Sequence, residues 1–211
     1  MPARRRSTQE ARGERSREAI LDAALELMTQ RGYAATSISQ ICAASGLPPS
    51  SLYWHFRSKE GLFDAVLDRE VQRFTTPPGR SGPRPAGIDG ELDELLAMMS
   101  RLVDEQSARF RFLLAVGPDE DGAADAVRGA LRKVRGRMLH WLREQLTAIF
   151  DLTTHPDGGR LATEMAELVL AVANGTEIAR WVEGQPVTFP VAQLRAVLPA
   201  MVSGSRYGRA S

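Results

Sequence analysis

Apolar residues recur at steps of three and four along almost the whole chain, and no stretch alternates apolar and polar for any length. Ile20, Leu21, Ala24, Leu25 and Met28 form one such stripe, Leu62, Phe63, Val66 and Leu67 a second, and Leu92, Leu95, Leu96, Met99 and Val103 a third. A helix turns about 100° per residue, so each set falls on one side of a helix and has to be buried together. The period predicts an all-α fold of about nine helices. The leading residues, to about Ser7, read as an Arg-rich arm, and a helix follows to Arg31 with Gly32 as its stop. Ser37 and Gln40 make a capping-box pair that opens the next helix, and Gly46 closes it. A short helix starts at Pro48 and Pro49 and ends near Phe56; Ser58 caps the following one. TTPPGRSGPRPAGID, from Thr75 to Asp89, reads as a linker. Beyond it, the pattern predicts a stripe to Val103, a separate piece from Phe110 to Val116, and helices over 123–150, 161–182 and 191–202. The domains expected are a basic arm (1–13), a first helical domain (14–74), the linker (75–89), a larger helical domain (90–204) and a tail (205–211).

With 211 residues, 43% of them hydrophobic, the chain can build a real core. A single cysteine, Cys42, rules out an internal disulfide and a thiolate metal cluster, and fits a reducing, cytoplasmic setting. No apolar run reaches the length of a membrane span, and no signal-peptide pattern opens the chain, so no membrane association is expected. His140 and Glu144 share a helix face but lack a third ligand, so they read as a surface or packing pair. Neither a nucleophile with its base nor a phosphate-binding glycine loop is visible, so no enzyme, metal or cofactor is expected. The net charge is +1, but Arg4, Arg5, Arg6, Arg12, Arg15 and Arg17 make the leading end basic. The run Arg4 to Arg6 is either a solvated tail or an arm that reaches a DNA minor groove.

GLPPSSLYWHFRSKE, Gly46 to Glu60, is the least ordinary stretch. Tyr53, Trp54 and His55 stand side by side, and adjacent helix residues cannot share one buried face. Leu52 and Phe56, at i and i+4, are the pair suited to the core. A helix, a glycine-containing turn and a second short helix is the layout of a helix-turn-helix, here over 37–56. In that unit the second helix enters the major groove. Ser50, Ser51, Tyr53, Trp54 and His55 then lie on or beside the exposed faces, where hydroxyls and a ring N–H meet phosphates and rings meet sugars or thymine methyls. Lys59, at the start of the next helix, adds charge to a phosphate seat.

These residues resemble the signature of the TetR (tetracycline-repressor-like) family: Gly46, Ser51, Leu52, Tyr53, His55, Phe56, Ser58 and Lys59, with Gly32-Tyr33 and Thr36-Ser37 upstream. The resemblance is strong from about Glu14 to Phe74 and one of layout beyond. It implies a three-helix helix-turn-helix domain joined by a linking helix to a larger helical ligand-binding and dimerisation domain. By position, it implies phosphate contacts from Thr36 and Ser37, and Ser39 where the family often has a base-reading arginine. Pro49, Ser50, Ser51, Trp54 and His55 would face bases or thymine methyls, and Tyr53 and Lys59 the backbone. Pro48, Pro49 and Ser50 depart from a common Ser-Lys-Gly, which leaves the operator sequence open.

In the larger domain, Met98, Met99, Phe110, Phe112, Met138, Trp141 and Met165 serve as core, as the lining of an adaptable ligand pocket, or as both. Asn174, Glu177 and Trp181 border an apolar face and either orient a ligand or meet a second subunit. Leu168, Ala171, Val172 and Gly175, with Leu194, Val197 and Leu198, are the candidates for a homodimer seam between the last two helices. The function expected is a dimeric regulator on a palindromic double-stranded DNA operator. It is most simply a repressor released by a small-molecule effector, and otherwise a regulator governed by a protein partner or by abundance.

Overall fold

The computed structural model describes residues 3–75, 87–114 and 123–205. Eight helices and no strand occur among them: α1 (Ala3–Arg31), α2 (Ile38–Ser45), α3 (Pro49–Phe56), α4 (Lys59–Thr75), α5 (Gly87–Leu114), α6 (Ala123–Ile149), α7 (Gly158–Glu183) and α8 (Val191–Ser205). The all-α expectation holds, but the count of nine does not. The two apolar pieces 92–103 and 110–116 were expected to be separate helices, yet α5 runs unbroken from the first into the second as far as Leu114; residues 115 and 116 lie outside the described residues. DEQSAR between them contains neither glycine nor proline, so nothing interrupts the backbone hydrogen bonds. At the leading end, α1 already begins at Ala3, so the expected arm to Ser7 is helical backbone. Most of the expected linker, 76–86, and most of the tail, 206–211, lie outside the described residues.

The chain divides into two compact units, residues 1–72 with 108–134 and residues 73–107 with 135–211. In the first, Ile20, Leu21, Ala24 and Met28 of α1 pack with Ile41 and Cys42 of α2, Leu52 and Phe56 of α3, and Leu62, Phe63, Val66 and Leu67 of α4. Ala130 of α6 joins this core, and Lys133 of α6 pairs with Asp64 of α4. Burial raises the Cys42 thiol pKa, which makes it an inert core filler. Arg69 of α4 is almost wholly buried and pins α1, with its Nη1 2.9 Å from Glu18 and 2.8 Å from Asp22.

The second unit buries Leu92, Leu95, Leu96, Met99 and Val103 of α5 and Met138, Leu142 and Leu146 of α6. Leu161, Met165, Val169 and Ala173 of α7 and Leu194 and Leu198 of α8 are buried there as well. Arg180 of α7 ties it together. Its guanidinium donates to the Val187 carbonyl (2.6 Å), the Val103 carbonyl (2.9 Å) and Asp104 (2.6 Å), and lies 3.5 Å from buried Glu177. Arg195 of α8 reaches Asp93 of α5 at 3.2 Å.

Candidate nucleic-acid interface

Local chemistry sets the two short helices. Ser37 caps α2 in a complete capping box: its hydroxyl accepts from the Gln40 N–H (3.2 Å), and the Gln40 side-chain oxygen accepts from the Ser37 N–H (2.8 Å). Gly46 ends α2 at φ 68°, in the left-handed region, where a side chain would be strained. Pro49 occupies the first turn of α3, whose N-cap Pro48 offers no side-chain bond. Arg57 turns the chain at φ 65° and ψ −36°. Ser58 then caps α4, its hydroxyl accepting from the Gly61 N–H at 3.1 Å. Gly61 is required by space, since a Cβ there would lie 2.2 Å from the Phe56 carbonyl oxygen.

This frame sorts the side chains of α3. Leu52 and Phe56 are buried, at 0% and 6% exposure, whereas Tyr53 is 50% and Trp54 75% exposed. Pro49 and Ser50 are exposed, and Ser51 is half-buried. His55 is half-buried; its ring meets Trp54 edge-on at 4.5 Å and Phe56 at 5.7 Å. Burial lowers its pKa, the positive charge of Arg17 lowers it further, and Glu14 opposes both. Beside α3, Ser37 and Ser39 are exposed with their hydroxyls 2.9 Å apart.

Two expected phosphate ligands look different in three dimensions. Thr36 is corrected: its side chain is completely buried and its hydroxyl donates to the Gly32 carbonyl at 2.8 Å. It holds the turn between α1 and α2 and presents nothing to a duplex. Lys59 does sit at the start of α4, but its ammonium donates to the Ala34 carbonyl (3.3 Å) and lies 4.4 Å from the centre of the Tyr33 ring. Burial lowers the Lys59 pKa. The same corner raises the Tyr33 phenol to about 12, through burial and then the Glu60 carboxylate. Exposed Arg57 was missed. It belongs to no apolar period, and only the turn geometry brings it to the end of α3.

In the second unit, Met99, Met138 and Met165 are buried and Met98, Trp141 and Asn174 half-buried. Glu177 is buried against Arg180. The side chains of Phe110, Phe112 and Trp181 lie outside the described residues. Of the expected seam, Ala171, Gly175 and Val197 are exposed and Leu168 and Val172 half-buried. Leu194 and Leu198 are corrected, because at 3% and 0% exposure they face inward and pack the unit's own core. Ile178 and Val182, which the periodicity did not single out, are exposed at 48% and 69%. His140 and Glu144 form an exposed pair at 3.3 Å, and no group of His, Cys, Asp and Glu that could hold a metal occurs among the described residues. No helix among those residues is long and apolar enough to cross a membrane.

Comparison with known proteins converges on the same segment. Residues 20–66 match the family model described as bacterial regulatory proteins, tetR family. The chain is 50% identical over 58 residues to the HTH-type transcriptional repressor ComR of Escherichia coli K12, covering 28% of each. It is 40% identical over 64 residues to the HTH-type transcriptional regulator AcrR of Shigella flexneri, covering 30% of this chain and 29% of that one. Those alignments span less than a third of either relative. Fold similarity extends further. A TetR-family member from Streptomyces coelicolor A3 superposes with a TM-score of 0.62 at 20% identity, over 88% of this chain and 97% of that one. GusR of Salmonella enterica gives 0.59 at 24% identity, over 89% and 95%. Residues 20–66 are therefore similar to the helix-turn-helix domain of the tetR family of bacterial regulatory proteins, and the rest of the chain shares its all-helical fold with solved members of that family.

Proposed function

We propose that this protein is a dimeric transcriptional regulator whose α3 helices enter successive major grooves of a palindromic operator, about 34 Å apart. The observation that carries the reading is the split of α3. Leu52 and Phe56 anchor the helix, while Tyr53 and Trp54 stand in solvent beside exposed Pro49 and Ser50. Two large rings left in water side by side on one short helix mark a surface for a partner. Trp54, Pro49, Ser50, Ser51 and His55 face bases, while Tyr53, Ser37 and Arg57 serve the backbone. Ser39 lies at the edge of the reading surface.

Dimerisation uses α7. Ala171, Gly175, Ile178 and Val182 follow one another at steps of four, three and four and so line one face of α7, where the small Ala171 and Gly175 let a seam close tightly. Val197 of α8 extends this apolar exposure. Repression fits the family, and a small molecule taken by the second unit would release the operator by favouring one spacing of the two reading heads. A regulator without an effector is the second reading. The complete burial of Met99 and Met165 favours it, since both then serve as packing.

Fluorescence anisotropy on duplexes from the DNA flanking its own gene, at several salt concentrations, tests the DNA-binding reading. Saturable binding that weakens with rising salt is the expected result, and no binding at low salt would reject it. Thermal shift with apolar and cationic compounds decides between the two modes of control.

A further inference from the structure

From Thr36 to Phe56 the chain contains no Asp, Glu, Lys or Arg. Near neutral pH the helix-turn-helix can therefore change its charge at one place only, His55, because imidazole is the side chain that titrates there. The fold holds that ring still. It is half-buried on α3, with Trp54 edge-on at 4.5 Å and Phe56 at 5.7 Å. Among the described residues, the charged groups that act on it are Glu14 and Arg17 of α1. The Arg17 guanidinium lies 5.7 Å from the centre of the Phe56 ring and 3.2 Å from Glu18, which in turn pairs with Arg69 of α4 at 2.9 Å. A cation fixed in this way opposes a second positive charge on the imidazole, as burial does, and Glu14 only partly offsets them. Neither α2 nor α3 supplies a carboxylate of its own. In the free protein the ring is therefore held towards its neutral form.

We infer that His55 is a proton-linked switch: each subunit takes up a proton on this ring as α3 docks on a duplex, so the regulator binds DNA more tightly as pH falls. The inference rests on the DNA-binding reading above and adds a mode of control to it, in which the proton is the effector. A duplex carries one negative charge per about 1.7 Å of its axis. Brought against α3, that charge favours the protonated imidazole and works against Arg17 and burial. The direction follows from linkage. The complex holds the proton more firmly than the free protein does, so affinity is greatest below the depressed value of the free ring. It falls as pH rises from that value to the higher one of the complex, and is level beyond. A rise of one pKa unit on docking corresponds to about tenfold in half-site affinity across the window. Arg17 sets where the window lies, as a positioning residue that acts through His55.

The test begins with selection of a high-affinity duplex from a randomised library by the full-length protein in mildly acidic buffer. Anisotropy titrations of that duplex are then run from about pH 5.5 to about pH 8 at fixed ionic strength, where imidazole changes charge. Melts at each pH confirm that the protein is folded throughout. Affinity should fall with rising pH, by up to about tenfold per half-site for each unit that docking raises the ring. His55→Gln should abolish this slope whatever affinity it keeps, which separates His55 from His140 and His155 elsewhere in the chain. Arg17→Gln should move the slope to higher pH and Glu14→Gln to lower pH, shifts that a merely structural role would not produce. Histidine ring-proton resonances should show His55 titrating at higher pH in the complex than in the free protein. Affinity that stays level across the range, or a slope that survives in His55→Gln, would overturn the inference while leaving DNA binding intact. So would a His55 that titrates at the same pH free and bound. Failure to select any duplex would remove the DNA-binding reading itself, and this inference with it.

Discussion

Arg57 adopts φ 65° with a full side chain, a conformation that glycine takes without penalty and other residues do not. Arg57→Gly should therefore raise stability by about 1 kcal/mol. If the charge serves DNA, the same variant should bind duplexes more weakly and show a shallower salt dependence. Thermal melts and anisotropy titrations on one preparation read both effects. His55 gives a second prediction. Its folded pKa is lowered, so the unfolded chain takes up protons first as pH falls. Its contribution to stability is complete above the ordinary histidine value near 6.5 and is lost as pH drops through the depressed folded value. His55→Gln should flatten the fall of the melting midpoint between about pH 7 and pH 5. Residues of this kind are only partly legible in the sequence. The identity of the exposed rings followed from their adjacency at Tyr53 and Trp54. That Thr36 turns inward and Lys59 leans on Tyr33 did not, because the first depends on how the turn after α1 folds back on Gly32 and the second on how that turn meets the start of α4.

The starts of α2 and α4 obey their side chains. Ser37→Ala removes one half of a capping box and should destabilise the first unit by about 1 kcal/mol. Gly61→Ala should cost more, roughly 1–3 kcal/mol, because the added methyl meets a backbone carbonyl that cannot rotate away. Chemical denaturation gives both values, and equal costs would mean that α4 can slide relative to α3. The same contrast explains what could be read in advance. Caps at Ser37, Gly32, Gly46 and Ser58 are written in single residues, so the boundaries of α2 and α3 were legible. The run of α5 through 104–109 was not: six polar and small residues read as a gap, although each of them is compatible with a helix. Leu194 and Leu198 failed for another reason. An apolar stripe tells which face is buried, not whether its own unit or a second copy of the chain buries it, and here α7 and the rest of the unit take it.

At the scale of the molecule, the claim is that a dimer holds two reading helices against DNA. Ile178→Asp with Val182→Asp places two charges in the proposed seam, and sedimentation should show a shift from dimer to monomer. Affinity for a two-half-site duplex should fall steeply in that variant, whereas affinity for a single half-site should not. A monomeric parent protein would refute the seam at once. The most direct measurement of the central claim compares the parent with Tyr53→Ala/Trp54→Ala, by anisotropy against a selected duplex at low salt. The two rings lie outside the core, so melting midpoints should agree within a few degrees. The account predicts tenfold or greater loss of affinity in the variant, on the scale of about 1–3 kcal/mol for lost ring contacts to bases. Equal affinity in two equally stable proteins would contradict it.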